Sequence, residues 1–216
     1  MVKGVLFDMD GLMFDTERLD LEAWRHAGQK LGFPVDEQVL LALRGTTGPA
    51  AREKLRQAFG PGFDYDRTRR ARLAYSGAWI EAHGMPVKPG LYALLETLRA
   101  RGIPAALATS TSRETALSYL RKARVDGFFA AAVCGGEVAH PKPAPDVFCA
   151  AARLLGLDPA GCMVLEDSPN GIRAAHAAGC IPVMVPDLTP PDEELRALCA
   201  AVVPTLEQVP ALLDRF

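Results

Sequence analysis

The stretch 2–17, VKGVLFDMDGLMFDTE, runs an apolar segment directly into two closely spaced carboxylates, Asp8 and Asp10. The apolar residues before Asp8 predict a buried β-strand over 2–8. In a parallel sheet covered by helices, ligands bind beyond the carboxyl ends of the strands. The stretch therefore predicts a strand that places two acids at a binding edge.

From about Gly90 onward, short apolar segments alternate with segments of helical periodicity. Four apolar segments are predicted to be buried strands, at 103–109, 131–135, 162–166 and 181–186. Helices are predicted between them, at 112–124, 145–156 and 169–178, with Ser112 before the first and Gly156 and Gly179 after the others. This alternation is typical of βαβ units, so we expect an α/β core with a Rossmann-like, doubly wound parallel sheet.

Residues 16–84 interrupt the alternation, because they contain four helical patterns and no strand candidate between them. Gly and Pro separate these patterns, and a Pro- and Gly-rich segment at 83–90 leads back toward the sheet. We therefore expect two domains: an α/β core of residues 1–15 and 85–216, and an α-helical cap domain of residues 16–84 inserted after the first strand.

The composition excludes several classes of protein. The chain has 216 residues, is 49% hydrophobic and 23% charged, and has a formal net charge of −2. It lacks the net positive charge that would attract nucleic acid or an anionic membrane. No apolar run reaches the ~18 residues that a membrane-spanning helix needs. Five scattered cysteines without a C-x-x-C pair favour a reducing compartment. We expect a cytoplasmic monomer that binds neither nucleic acid nor membrane.

Acids, hydroxyls and one lysine lie at or shortly after the ends of four of the predicted strands. They are Asp8 and Asp10, then Thr109, Ser110, Thr111 and Ser112, then Lys142, and finally Glu166 and Asp167. Four carboxyl groups at one edge would repel one another unless a cation neutralised them, and Mg²⁺ suits a few carboxylates with a phosphate. Hydroxyls, backbone N–H groups and a lysine suit phosphoryl oxygens. The sequence thus predicts a magnesium and phosphate site with a carboxylate nucleophile.

Each cluster alone also has a purely structural interpretation. A D-x-D pair can cap the turn after a strand, TSTS can cap a helix, and a lysine in a Pro-rich loop is usually exposed. Glu166 and Asp167 could simply favour a helix N-terminus through its dipole. The presence of all four clusters at strand ends favours the catalytic interpretation.

Four motifs resemble those of the haloacid dehalogenase-like superfamily, in the family's order: FDMDGLMFDT, ALATSTS, HPKPAPDVF and VLEDSPNGIRAA. The resemblance covers nearly the whole chain, including the inserted helical cap. It is greatest to the branch that contains β-phosphoglucomutases and small sugar- and nucleotide-phosphate phosphatases, with stretches similar to pseudouridine-5′-phosphatases. One departure is Pro141, which stands where relatives often have a small residue before the motif lysine.

The resemblance implies a role for each matched residue. Asp8 would be the nucleophile, and Asp10 the general acid and then the general base. Thr109, Ser110 and Lys142 would bind the phosphoryl group. The implied Mg²⁺ ligands are Asp8, the backbone carbonyl of Asp10, Glu166 and Asp167. Further substrate-binding positions would be Thr16, Asp20, Gly45, Thr111 and Arg113, with Asp15 and Thr16 at the hinge into the cap.

The cap distinguishes two activities within this branch. Mutases bind a second phosphate with an arginine, a lysine and a histidine of the cap, and these positions fall here on Gly48, near Gly77 and on Asp20. Arg44 and Arg52 lie close by in sequence and could substitute. A second group of arginines, Arg67, Arg69, Arg70 and Arg72, is interpreted as a solvated helix face.

The sequence therefore favours a phosphatase that acts on a small phosphorylated metabolite, such as a sugar or nucleoside monophosphate, with a phosphosugar mutase as the alternative. Two rivals come from other classes. A non-catalytic phosphate sensor would be expected to have lost one of the acids. A glycosyltransferase would bind a metal-bound sugar nucleotide through D-x-D, but it would leave Lys142 and Glu166–Asp167 without a role.

Overall fold

The computed structural model of the protein describes residues 1–42 and 48–216. The chain divides into two compact units, one of Met1–Asp15 with Val87–Phe216 and one of Thr16–Pro86. The first contains a parallel β-sheet with helices, and the second is helical throughout its described elements. The predicted fold class, an α/β parallel sheet with an inserted helical domain, is confirmed.

Six strands form the sheet. They are β1 (Gly4–Phe7), β2 (Ala105–Ser112), β3 (Phe129–Gly135), β4 (Cys162–Glu166), β5 (Ile181–Met184) and β6 (Ala201–Val202). Their spatial order is β3-β2-β1-β4-β5-β6, and each neighbouring pair is parallel. The order reverses between β1 and β4, and in doubly wound sheets the crevice at this switch point is where ligands bind.

Strand β2 is longer than predicted. The prediction ends it at Thr109, but it continues through Ser112, so Ser110, Thr111 and Ser112 also belong to the strand. Its register against β3 shifts between Ala108, which pairs with Val133, and Ser112, which pairs with Gly135. Four residues of β2 thus oppose two of β3 across this step. Such irregularities bend a strand and re-aim its side chains.

The helical unit contains α1 (Thr16–Leu31), α2 (Glu37–Ala42), α3 (Gly48–Phe59) and α4 (Tyr65–His83). Its core is built around Trp24, Leu40 and Leu55, with aromatic side chains packed against them. Trp24 stacks on Phe63 with ring centroids 6.4 Å apart. Burial of large aromatic side chains supplies much of the hydrophobic stabilisation available to so small a unit.

Five helices accompany the sheet: α5 (Leu91–Ala100), α6 (Arg113–Lys122), α7 (Asp146–Leu154), α8 (Pro169–Ala177) and α9 (Glu193–Leu198). All four residues of β1 are buried, and Leu6 packs in one core with Phe148 of α7 and Val164 of β4. A central strand buried on both faces is the rule for parallel sheets. No helix among the described residues is both long and apolar enough to cross a membrane.

Candidate active site

Asp8 stands at the end of the central strand, where β1 leaves the sheet. Its backbone N–H donates to the carbonyl of Leu165 at 3.0 Å, and the residue is 7% exposed. A tight turn follows, in which Gly11 has φ 81° and donates to the Phe14 carbonyl at 2.8 Å. A positive φ is a conformation that glycine adopts without steric cost. The sheet and the turn together fix the backbone on either side of Asp8 and Asp10.

Lys142 is buried against the carboxylates. Its Nζ donates to Asp8 Oδ1 at 2.6 Å, to Glu166 Oε1 at 2.7 Å and to the Ala108 carbonyl at 3.0 Å. Only 7% of the residue is exposed. The alternative interpretation, that Lys142 is a solvent-exposed lysine in a Pro-rich loop, is therefore wrong. All three N–H donors of its ammonium have partners. Pro141 does not keep Lys142 away from the acids.

Glu166 at the end of β4 is held from a second side by helix α8. Its Oε2 accepts from the backbone N–H of Ser168 at 2.8 Å and from the Ser168 hydroxyl at 2.9 Å. Ser168 is also the N-cap of α8, and its Oγ accepts from the Gly171 N–H at 3.1 Å. The helix start and the orientation of Glu166 thus depend on one serine.

Gly171 leaves the space that the Glu166 carboxylate occupies. A Cβ at this position would lie 1.7 Å from Glu166 Oε1. Sequence reasoning singled out neither Ser168 nor Gly171. The sequence signal for these two residues is a serine at the N-cap and a glycine in the first turn, directly after the paired acids. This pattern is also typical of ordinary helix capping, so it does not by itself indicate a role in the site.

The donor set fits a divalent cation. Asp8, Glu166 and Asp167 are all buried, and each offers a carboxylate oxygen within 4.8 Å of the other two. With all three carboxylates ionised and Lys142 counted, these four side chains have two net negative charges in a buried volume. Burying uncompensated charge is costly, and hard cations prefer oxygen ligands of this kind.

The titration of the cluster reflects this crowding. Burial raises the pKa of Asp8 to about 7; the Lys142 ammonium opposes the rise, while Glu166 and Asp10 add to it. Burial alone would lower the pKa of Lys142, but the adjacent Asp8 and Glu166 carboxylates raise it above its usual value. Lys142 therefore remains an ammonium wherever the protein is folded near neutral pH.

Hydroxyls of β2 line the same edge of the sheet. Thr109 is 2% exposed, and its Oγ1 accepts from the Thr111 N–H at 3.1 Å. Thr111 in turn donates from Oγ1 to Asp10 Oδ2 at 2.6 Å. Ser110 is exposed. Because the Thr109 oxygen is an acceptor in this bond, its own proton can be donated to a phosphoryl oxygen.

Arg113, a predicted substrate-binding residue, pairs with neighbours on β3 and beyond. Its guanidinium contacts both carboxylate oxygens of Glu137 and donates to the Ala132 carbonyl at 2.8 Å. Glu137 also accepts from the backbone N–H of Cys134 at 3.0 Å. These bonds connect the start of α6 to the end of β3.

Three predicted substrate-binding residues belong to the helical unit: Thr16, Asp20 and Gly45. Thr16 begins α1 and is buried, and Asp20 forms an ion pair with Arg72 of α4. The Arg72 guanidinium also lies 4.1 Å from the Trp24 ring centroid, and only 21% of its side chain is exposed. Arg72 thus departs from the expected solvated helix face. Gly45 and Arg44 lie outside the described residues.

Arg52, a possible replacement for a phosphate clamp, has partners within the helical unit. It forms two hydrogen bonds to Asp66, of 2.9 and 2.8 Å, and lies 4.7 Å from the Tyr65 ring centroid. Gly48, at the position where mutases have an arginine, begins α3. A role for Arg52 in binding phosphate would require this exposed pair to open.

Comparison with known proteins gives consistent relationships. A sequence model of haloacid dehalogenase-like hydrolases matches residues 2–179. A Drosophila melanogaster protein named probable pseudouridine-5′-phosphatase is 38% identical over 198 residues, covering 86% of this chain and 82% of that protein. Bacillus subtilis β-phosphoglucomutase is 30% identical over 190 residues, covering 85% of this chain and 83% of that enzyme.

A solved structure extends the similarity to the fold. The crystal structure of CbbY from Rhodobacter sphaeroides in complex with phosphate matches with a TM-score of 0.83 at 27% identity, covering 99% of this chain and 100% of that one. The family match spans more than three quarters of the sequence and includes all four strand-end motifs. The chain belongs to the haloacid dehalogenase-like hydrolases.

Proposed function

We propose that this protein is a Mg²⁺-dependent phosphatase that hydrolyses small phosphomonoesters through a phosphoryl group carried on Asp8. The observation that supports this most directly is the buried cluster at the switch point, where Lys142 contacts both Asp8 and Glu166. A nucleophilic carboxylate beside a fixed ammonium suits a reaction in which negative charge accumulates on phosphoryl oxygens.

The first half of the reaction transfers the phosphoryl group to the protein. An Asp8 oxygen forms a bond to phosphorus as the ester P–O bond breaks, and Asp10 donates a proton to the departing oxygen. The Thr109 hydroxyl donates to a phosphoryl oxygen, and the Lys142 ammonium, held beside Asp8, offsets the negative charge that accumulates there. The products of this step are a free alcohol and phospho-Asp8.

The second half returns Asp8 to its starting state. Asp10, now ionised, takes a proton from water as the water oxygen bonds to phosphorus, and the acyl phosphate P–O bond to Asp8 breaks. Inorganic phosphate leaves, and Asp10 is protonated for the next cycle. One residue thus serves as acid and then as base, which requires that it reach both oxygens in turn.

Three carboxylates and a backbone carbonyl are the proposed cation ligands. Asp8, Glu166, Asp167 and the Asp10 carbonyl would bind Mg²⁺, with Glu166 binding directly or through water. When bound, the ion would neutralise the cluster and polarise the phosphoryl group as a Lewis acid. The contacts of Glu166 to Lys142 and Ser168 leave this carboxylate well oriented for such a role.

We propose that residues 16–84 form a cap domain and that the activity is hydrolysis. One relative is named as a phosphatase and another as a mutase, so family membership alone does not decide between them. The described part of the helical unit favours hydrolysis, because Asp20 and Arg72 pair with each other and Arg52 pairs with Asp66. A second phosphate would have to compete with these carboxylates.

The relatives also guide the choice of substrate class. The Drosophila relative is named for a nucleoside monophosphate and the Bacillus relative for a phosphosugar. We therefore propose a sugar or nucleoside monophosphate as substrate, to be identified by screening about a hundred phosphomonoesters.

Metal-dependent hydrolysis of p-nitrophenyl phosphate tests the proposal. We expect phosphate release with Mg²⁺, none after metal is removed with EDTA, and recovery when Mg²⁺ is restored. A non-catalytic sensor or a glycosyltransferase would release no phosphate in any arm. Full activity of metal-stripped protein would contradict the proposed role of the carboxylate cluster.

A further inference from the structure

Thr111, near the end of β2, is bonded to the acid that the proposed mechanism uses for proton transfer. Its hydroxyl donates to Asp10 Oδ2 at 2.6 Å, across a separation of 101 residues in sequence. A hydroxyl-to-carboxylate bond of this length is among the stronger hydrogen bonds in proteins. One oxygen of Asp10 is therefore fixed by a neighbouring strand.

The position of Thr111 is itself determined by the sheet. Its backbone N–H donates to Oγ1 of the buried Thr109 at 3.1 Å. The register shift between Ala108 and Ser112 falls on the same residues. Because such a shift re-aims side chains, this part of β2 does not follow the simple alternation of a strand.

We propose that Thr111 is a positioning residue for the acid–base step, and that its hydroxyl holds the Asp10 carboxylate in the orientation from which the proton is transferred. Asp10 gives its proton to the leaving oxygen and later takes one from water. Thr111 keeps its own proton throughout. This inference rests on the proposed function, since it requires Asp10 to be the proton-transferring group.

The role makes a specific kinetic prediction. Protonation matters most when the leaving group is basic, such as phenolate, whose conjugate acid resembles tyrosine with a pKa of about 10. p-Nitrophenolate is a much weaker base and can leave without being protonated. Loss of the Thr111 hydroxyl should therefore slow transfer from phenyl phosphate far more than transfer from p-nitrophenyl phosphate.

The experiment uses single turnovers with enzyme in excess and Mg²⁺ present, so that leaving-group release reports only the transfer to Asp8. We expect Thr111→Val to slow phenol release by at least about tenfold, which is part of the about 10²–10⁴-fold that a general acid contributes. We expect p-nitrophenol release to change by less than about threefold. Thr111→Ser, which keeps the hydroxyl, should behave like wild type with both substrates.

A double variant provides the control. If Thr111 acts through Asp10, then Asp10→Asn with Thr111→Val should be no slower than Asp10→Asn alone. Multiplicative effects, or equal slowing of both substrates by Thr111→Val, would overturn the inference. If Thr111→Val fails to fold by circular dichroism, Thr111→Ala is used in the same comparison.

The proposed function has its own controls in the same experiment. Failure of wild type to release either leaving group, or undiminished release by Asp8→Asn, would overturn the phosphatase mechanism itself. If hydrolysis depends on Asp8 but Thr111→Val slows both substrates equally, only the role of Thr111 is overturned.

Discussion

The nucleophilic role proposed for Asp8 requires a site shielded from water, yet burial disfavours the charged form of its carboxyl group. Lys142 at 2.6 Å offsets part of that cost. The rest remains, as the raised pKa of Asp8 indicates. The requirements of catalysis and of stability therefore oppose each other at this one residue.

Asp8→Asn should abolish turnover, because an amide cannot form the covalent intermediate. The surface variant Asp214→Asn, which changes an exposed carboxylate paired with Arg101, serves as the matched control and should retain activity. Initial rates with p-nitrophenyl phosphate provide the measurement. A residual rate above about a tenth of wild type would mean that the activation barrier rose by less than about 1.4 kcal/mol, which is too little for a lost nucleophile.

The same substitution should stabilise the metal-free protein. The raised pKa means that the ionised carboxylate is less favourable in the folded than in the unfolded state. This penalty is absent below the unfolded-state pKa of about 3.9 and complete above the folded-state value. In EDTA, we expect urea unfolding to show a gain of about 1–3 kcal/mol for Asp8→Asn at pH 8 and a smaller gain at pH 5.

A lower stability of Asp8→Asn than of wild type would contradict this account of the charge cluster. If Asp8→Asn were less stable than wild type in EDTA at pH 8, the bond from Lys142 would outweigh the cost of the buried charge. Asp214→Asn again serves as the control, since its exposed carboxylate should change stability little at either pH.

At the scale of elements, the site depends on how β4 joins α8. Ser168 caps the helix and orients Glu166, and Gly171 in the first turn leaves room for the carboxylate. The capping pattern after the paired acids is a local signal that predicts the helix. The contacts of Ser168 and Gly171 with Glu166 are not readable from sequence, because they depend on the orientation of the Glu166 side chain, which Ser168 and the distant Lys142 fix together.

Gly171→Ala should damage the site with little effect on the helix as such. The new Cβ would lie 1.7 Å from Glu166 Oε1, so the carboxylate must move. A displacement of about 1 Å can cost about 10² in rate, and we expect kcat/KM to fall at least tenfold. Gly127→Ala, whose Cβ meets nothing within 4 Å, is the control. Equal activity of the two variants would show that Glu166 tolerates displacement.

Element prediction from sequence succeeded where burial produced a strong pattern. The strands that became β1, β3, β4 and β5 are short, apolar and bounded by turn residues. Strand β6 has only two residues, Ala201 and Val202, too few for a pattern. Helix α5 is not predicted despite apolar residues at helical spacing, and β2 extends three residues past its predicted end at Thr109, because the polar residues 110–112 lack the apolar pattern of a buried strand.

At the scale of the whole molecule, the order of strands brings together residues from four distant motifs. Alternation of strands and helices makes the convergence of Asp8, Thr109, Lys142 and Glu166 predictable. Ion pairs between helices cannot be predicted in this way. Asp20 and Arg72 are 52 residues apart on α1 and α4, and no local pattern indicates that they meet. The predicted solvated face therefore failed at Arg72.

The helical unit should make this enzyme a hydrolase with little mutase activity. In the part of this unit that the structure describes, Asp20 pairs with Arg72 and Arg52 pairs with Asp66, so a second phosphate bound at these side chains would have to break an ion pair. We expect β-glucose 1-phosphate, with a trace of the 1,6-bisphosphate, to give free phosphate and no accumulation of glucose 6-phosphate. Coupled assays of both products provide the measurement. Glucose 6-phosphate forming faster than phosphate would favour the mutase.

Trapping the phosphoryl group on Asp8 tests the central claim most directly. Asp10→Asn protein is mixed with p-nitrophenyl phosphate and Mg²⁺, because this substrate needs no protonation while the slowed attack of water lets the intermediate accumulate. Acid quenching and mass spectrometry then locate the modification. We predict one phosphoryl group on the peptide that contains Asp8, and none when Asp8→Asn is added. Release of p-nitrophenol without a trapped phosphoryl group, or with one on another residue, would contradict the mechanism.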